Sequence, residues 1–248
     1  MVLPLHQRKL YKDSIMRNTV LLMFLVCSLF FSCANKPAEE KKVVVPEKVE
    51  SSSQKATSGT HLCIYLYGDF PQEELNRLQK DLALVFDKVE SKGRLDFPVE
   101  AWYAPRKRYR APKLLDYQAS LFSCGVSERG KSEYILGLTT KDISLKYKGY
   151  EDWGVMGLSY QNKGVSVISS FRLGGVQKMN KESVKKLALH ELGHSAGLPH
   201  CNRSKTCIMR DAKGKDHFPE LTEFCPSCKS YLQKKGWNLC KHSLESPF

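Results

Sequence analysis

No apolar run in this chain suits a helix that spans a bilayer. The apolar stretch at residues 20–31 is about a dozen residues, where a hydrocarbon core of about 30 Å needs roughly 20. No internal repeat is visible, which removes solenoids, propellers and other arrays. Acidic residues are in deficit, 26 against 39 lysines and arginines, for a formal net charge of +13. That balance permits attraction to nucleic acid, anionic lipid or acidic proteins. However, no basic run is interleaved with aromatics as a nucleic-acid face requires, and the nearest, Arg106-Lys107-Arg108-Tyr109-Arg110, is short. The excess reads as a solvated lysine-rich surface, and no nucleic-acid partner is expected. What remains, 42% hydrophobic and 26% charged residues in a 248-residue chain, is the composition of a globular protein with one principal domain.

The N-terminus has the layout of a targeting signal. Arg8, Lys9, Lys12 and Arg17 precede the apolar stretch, and Met16-Arg17-Asn18 would itself make a normal start. The stretch meets Leu29-Phe30-Phe31-Ser32-Cys33, which resembles a relaxed bacterial lipobox with Phe30 where leucine is usual. A lipobox makes Cys33 the acylated first residue of the mature chain; the alternatives are a plain secretory signal or an uncleaved anchor. Residues 1–33 are therefore expected to be a signal peptide and residues 34–60 a flexible linker. The linker carries Glu39-Glu40-Lys41-Lys42, two prolines and Ser51-Ser52-Ser53, with little to build a core. Residues 61–248 form the folded domain. The expected location is the bacterial cell envelope, with the domain outside the cytoplasm on a lipid anchor and the chain a monomer.

Within the domain, Leu62-Cys63-Ile64-Tyr65-Leu66-Tyr67 suits a buried strand, closed by Gly68-Asp69. Leu75, Leu78, Leu82, Val85, Phe86 and Val89 have the three-and-four spacing that predicts one amphipathic helix over 71–91. Strands are expected over 98–103 and 134–138, with a helix near 114–122 between them. Segments 153–160 and 164–172, joined by the turn signal Gln161-Asn162-Lys163, are expected as a hairpin or neighbouring strands. A helix capped by Asn180 is predicted over 181–196, facing the core with Val184, Leu187, Ala188 and Leu192. The alternation predicts an α/β (α+β) domain: a mixed sheet packed by helices, one of them long, followed by a small cysteine-bearing C-terminal subdomain.

That long helix carries the chemistry. His190-Glu191-Leu192-Gly193-His194 places two imidazoles four residues apart, on one helical face, where they can share a zinc ion. Glu191 is the candidate general base: zinc lowers the pKa of water toward neutrality, and a carboxylate in reach takes the proton as the water attacks a polarised carbonyl. The five-residue pattern alone arises by chance in about one chain in a hundred of this length. Gly197, where the helix must stop and turn, and His200 beyond it lower that rate by about three powers of ten. His200 completes a three-histidine catalytic zinc site.

Downstream, Cys225-Pro226-Ser227-Cys228 has zinc-ligand spacing, and Cys201 with Cys207 can supply two further thiolates of a closed structural site. A thiol–disulfide motif at the head of a helix over 229–235, or two disulfides, are the alternatives. Zinc is preferred because both pairs flank the metal motif. The chain is thus expected to hold two zinc ions.

The pattern His190-Glu191-x-x-His194-x-x-Gly197-x-x-His200-Cys201, then Cys207-Ile208-Met209, then Cys225-x-x-Cys228, resembles the archaemetzincins, metallopeptidases of the metzincin clan. The resemblance covers residues 134–236 and, more thinly, 61–133. It implies His190, His194 and His200 as ligands of a catalytic zinc, Glu191 as base, and Cys201, Cys207, Cys225 and Cys228 as ligands of a second zinc. It also implies Met209 as the methionine of the turn beneath the metal. Five residues separate Cys201 from Cys207 where the family usually has four. Residue 211 is aspartate, so the tyrosine ligand of astacin-like enzymes is absent. The clan further implies an edge strand above the cleft that receives extended peptide, expected within 153–159.

The leading expectation is a zinc-dependent peptidase, endo- or aminopeptidase, acting on peptide or protein through Glu191-assisted, zinc-activated water. The competing one is an envelope-tethered, zinc-stabilised binding protein that cleaves nothing. Cys63 and Cys124 are open between a disulfide and buried free thiols. His61, His217 and His242 read as surface or boundary histidines, and Asp211 and Asp216 as braces of the cleft or ordinary loop residues.

Overall fold

The computed structural model describes residues 59–121, 133–175, 177–213 and 217–239. Cys27, Cys33, Cys124, Asp216, Cys240 and His242 lie outside them. Among the described residues, nine strands and four α-helices alternate. They are β1 (His61–Tyr67), α1 (Gln72–Leu82), β2 (Lys88–Leu95), β3 (Trp102–Tyr103), β4 (Arg108–Arg110), α2 (Ala111–Leu121), β5 (Glu133–Thr139), β6 (Ile143–Tyr147), β7 (Tyr150–Val155), β8 (Gly157–Tyr160), β9 (Val165–Ser169), α3 (Lys181–Ser195) and α4 (Pro226–Lys234).

The main sheet runs β2-β1-β5-β9-β8, its first four strands parallel and β8 antiparallel to β9 at the edge. Alternate residues of the central strands face opposite layers. Leu62, Ile64 and Leu66 of β1, with Tyr134, Leu136 and Leu138 of β5, enter one core with Leu75, Leu78 and Leu82 of α1, with Val184, Leu187, Ala188 and Leu192 of α3, and with the C-terminal segment. On the other side Tyr67, Val165 and Val167 pack with Leu114 and Leu115 of α2. This is the mixed α/β domain expected, with the cysteine-bearing segment as its small C-terminal part. No helix among the described residues is long and apolar enough to cross a membrane.

Three local expectations are corrected. The helix over 71–91 ends at Leu82; Val85 and Phe86 turn into the core, and Lys88–Leu95 is a strand. Parallel pairing with β1 satisfies that backbone, and this long-range partner outweighs the helical spacing of the apolar residues. The strand over 98–103 is mostly a short 3-10 turn, with two residues of strand at its end. The third correction concerns 153–160, which divides at Met156. Residues up to Val155 join a separate sheet of order β3-β4-β6-β7, and only Gly157–Tyr160 is the edge of the main sheet. That smaller sheet also absorbs the basic run, since Arg108 meets Asp142 at 3.2 Å and Arg110 meets Asp152 at 3.3 Å.

Candidate metal centres and catalytic site

Helix α3 is fixed at both ends. The Asn180 side chain accepts from the Ser183 amide at 3.0 Å, capping the N-terminus. At the other end Leu198 N–H donates to the Gly193 carbonyl and Gly197 N–H to the His194 carbonyl, both at 2.9 Å, a Schellman closure with Gly197 at φ +111°. That turn sends the chain back with His200. A Cβ on Gly197 would lie 2.6 Å from the Tyr231 hydroxyl, so conformation and space both demand glycine. Gly197→Ala is expected to cost about 1–3 kcal/mol in urea unfolding. A loss below about 0.5 kcal/mol, the scale of neutral surface changes, would contradict this account.

The three imidazoles converge, with one ring nitrogen of each within 4.8 Å of the others. His190 Nδ1 stands 2.6 Å from the Ile208 carbonyl and His194 Nδ1 2.7 Å from the Leu198 carbonyl. Carbonyls only accept, so both Nδ1 atoms carry the proton and both Nε2 atoms present lone pairs. Those two Nε2 atoms are 3.1 Å apart, with neither holding a proton to share. Burial pushes the His190 ring down to about 4 and lowers His194 as well, which keeps both neutral. Facing lone pairs on neutral imidazoles fit a shared cation, and the carbonyls supply the outer hydrogen bonds that orient metal-binding histidines.

Glu191 points toward the sheet. Its carboxylate accepts from the Ser159 hydroxyl at 2.6 Å, and a Cβ on Gly157 would fall 2.5 Å from Oε1. The edge strand β8 thus closes over this carboxylate, and burial raises its pKa above the ordinary carboxylate range. Ser159 and Gly157 were missed from sequence, since nothing local marks a serine and a glycine more than thirty residues upstream as neighbours of Glu191.

Below the helix, Met209 is fully buried with its sulfur against Gly193, where a Cβ would approach it to 2.5 Å. Met209 accepts from the Cys201 amide at 2.7 Å, tying the two loops together. Asp211 is held below its usual range, chiefly by the Lys213 amide, and its charge acts on His200 and His190.

Cys201, Cys207, Cys225 and Cys228 are all buried, their sulfurs within 4.8 Å of one another. Cys225 begins α4 with Pro226 in the first turn, and Cys228 is one of its inward residues. Cys201 and Cys225 Sγ stand 3.7 Å apart, far beyond the roughly 2.05 Å of a disulfide, and all four cysteines are free thiols. Cys201 and Cys207 are joined by a loop over 202–206, where Cys207 N–H reaches the Ser204 carbonyl. Burial pushes Cys207 up to about 11 and raises Cys228. Against the same pull, the Arg203 amide and the neighbouring sulfurs bring Cys201 down to about 7. A pocket of four thiols that cannot all ionise alone fits a divalent cation.

Comparison with known proteins agrees. The profile of peptidase family M54 matches residues 132–234. An archaemetzincin of Nanoarchaeum equitans is 32% identical over 151 residues, covering 60% of this chain and 76% of that protein. One of Haloquadratum walsbyi is 29% identical over 176 residues, covering 66% and 95%. The crystal structure of an archaemetzincin from Methanopyrus kandleri superposes with a TM-score of 0.57 at 27% identity, covering 72% of this chain and 96% of that one. Sequence likeness and shared fold lead to one conclusion: the chain belongs to the archaemetzincin family, peptidase family M54, and is a zinc metallopeptidase.

Proposed function

We propose that the chain hydrolyses peptide bonds at a zinc ion held by His190, His194 and His200, with Glu191 as general base. A second zinc at Cys201, Cys207, Cys225 and Cys228 serves structure alone. The observation that carries this reading is the convergence of three histidines beside a buried carboxylate, with two unprotonated Nε2 atoms 3.1 Å apart. Zinc held there supplies Lewis acidity, which makes water a nucleophile near neutral pH and polarises the scissile carbonyl. Glu191 takes a proton from the attacking water and delivers it to the leaving amine nitrogen. Ser159 holds the carboxylate for both transfers, and β8 excludes solvent from its far side. The free edge of β8 is where the backbone of an extended substrate pairs. A peptide-library screen of the zinc-replete chain tests this. Cleavage that disappears in Glu191→Gln supports it, and cleavage indifferent to Glu191 refutes it.

The same reading extends to location. Residues 1–33 act as a signal, 34–60 as a tether and 61–248 as the catalytic domain, carried as a monomer on a lipid at Cys33 in a bacterial envelope. Its support is the sequence Leu29-Phe30-Phe31-Ser32-Cys33 after a basic and apolar lead. Fatty-acid labelling in a bacterial host is expected to mark the parent chain and not Cys33→Ser, with the variant moving from the membrane to the soluble fraction. Absence of label on the parent chain would defeat the lipoprotein assignment.

A further inference from the structure

His61 and Cys63 alternate on β1, so they stand side by side on one face of the sheet. Parallel register sets Glu90 of β2 opposite Cys63 and Glu133 of β5 opposite His61. The result is a compact donor set: His61 Nε2 is 2.6 Å from Glu90 Oε2 and 3.6 Å from Cys63 Sγ. One donor atom from each of the three residues lies within 4.8 Å of the other two.

On the opposite ring nitrogen, His61 Nδ1 faces Glu133 at 3.8 Å. Without metal, Nε2 carries the proton that Glu90 accepts; a cation taking that nitrogen would displace the proton, with Glu133 the carboxylate beside the other ring nitrogen. The first half of this β1 face is only partly buried, while its alternates Leu62 and Ile64 are fully in the core. Lys92, Lys88 and His61 hold the Glu90 carboxyl down to about 2, so it is an anion at any physiological pH. Lys88 and Lys92 reach it at 3.0 and 2.9 Å from exposed positions, and pairs of that kind contribute little and give way easily.

We infer that His61, Cys63 and Glu90 form a further metal-binding site, for a divalent transition metal such as zinc or cobalt, with Glu133 orienting the histidine. One imidazole, one thiolate and one carboxylate suit such ions and not magnesium or calcium, which take oxygen. The site is separate from the catalytic centre. Strands β5 and β9 lie between β1 and the edge strand β8, and α3 packs against the other face, where Leu62 and Ile64 point.

The test uses the full chain, reduced and saturated with zinc, then freed of loose metal and counted by elemental analysis. The parent is expected to hold one zinc per chain more than either His61→Ala or Cys63→Ser, with both variants keeping parental peptidase activity. Cobalt titration of the parent that holds zinc only at the three-histidine and four-cysteine groups should add a thiolate-to-cobalt charge-transfer band that Cys63→Ser lacks. Glu133→Gln should weaken the affinity of this last ion about tenfold or more. Equal metal content in the parent and both variants would overturn the site, as would finding Cys63 bound in a disulfide. Loss of zinc in His194→Ala reports on the catalytic centre instead, so the two readings fail separately.

Discussion

Glu191→Gln is expected to lower kcat/KM for peptide hydrolysis by roughly a hundred- to ten-thousand-fold, the usual worth of a positioned general base. Zinc content should stay at the parental value. The two effects separate because Glu191 is not one of the converging metal ligands; its carboxylate is held by Ser159 of β8. Glutamine has the same length, and its amide oxygen can still accept from Ser159 at the position where Oε2 sits 2.6 Å away. The fold and the histidine cluster should therefore survive, while the proposed general base is gone. Steady-state kinetics on a cleaved library peptide, paired with elemental zinc analysis, measures both. A variant with parental kcat/KM would remove Glu191 from the mechanism. A variant that lost zinc would instead show the carboxylate supporting the metal cluster.

Cys228→Ala is expected to have the largest effect on stability. Structural zinc in small domains contributes about 10–16 kcal/mol of binding free energy, as much as or more than the roughly 5–15 kcal/mol net stability of a whole domain. Removing one of four ligands should release one zinc per chain and unfold at least the region from Cys201 to α4. The damage should reach catalysis as well. Cys201 directly follows His200, and Cys207 directly precedes Ile208, whose carbonyl orients His190. Met209 also accepts from the Cys201 amide. Thermal unfolding with zinc analysis is the measurement. In the parent a strong chelator should lower Tm while a reductant leaves it unchanged; two disulfides would respond the opposite way. A Cys228→Ala protein that melts like its parent with its zinc complete would reject the structural ion.

Much of the site could be read without coordinates because its signals are local. Histidines four apart on a helix share a face whatever surrounds the helix, and Asn180 caps it through a bond to a residue three positions on. Gly197 was legible for the same reason, since a helix that must stop and reverse needs a residue able to take positive φ. The cysteine pairs flank the motif closely enough that spacing alone grouped them. The helix expected to continue to residue 91 failed because the apolar spacing over 82–89 suits either a helix or a turn into a strand. Only the presence of β1 alongside decides between them. The break at Met156 was not read from the sequence either: Gly157 beside it is only a weak local signal, and it is the strand partners that divide residues 153–160 between sheets.

By itself, then, the order of amino acids determined the candidate site groups: three imidazoles, one carboxylate and four thiols, at spacings set by 3.6 residues per turn and by short loops. Tertiary structure decided the environment of those groups. Strand β8 brings Ser159 and Gly157 over Glu191, and the Ile208 carbonyl selects the ring nitrogen His190 presents. Parallel pairing of three strands from distant stretches gathers His61, Cys63, Glu90 and Glu133. Helical periodicity acts over a few residues and is written in the chain directly. Strand register and burial depend on partners many residues away, and they exist only once the sheet has formed.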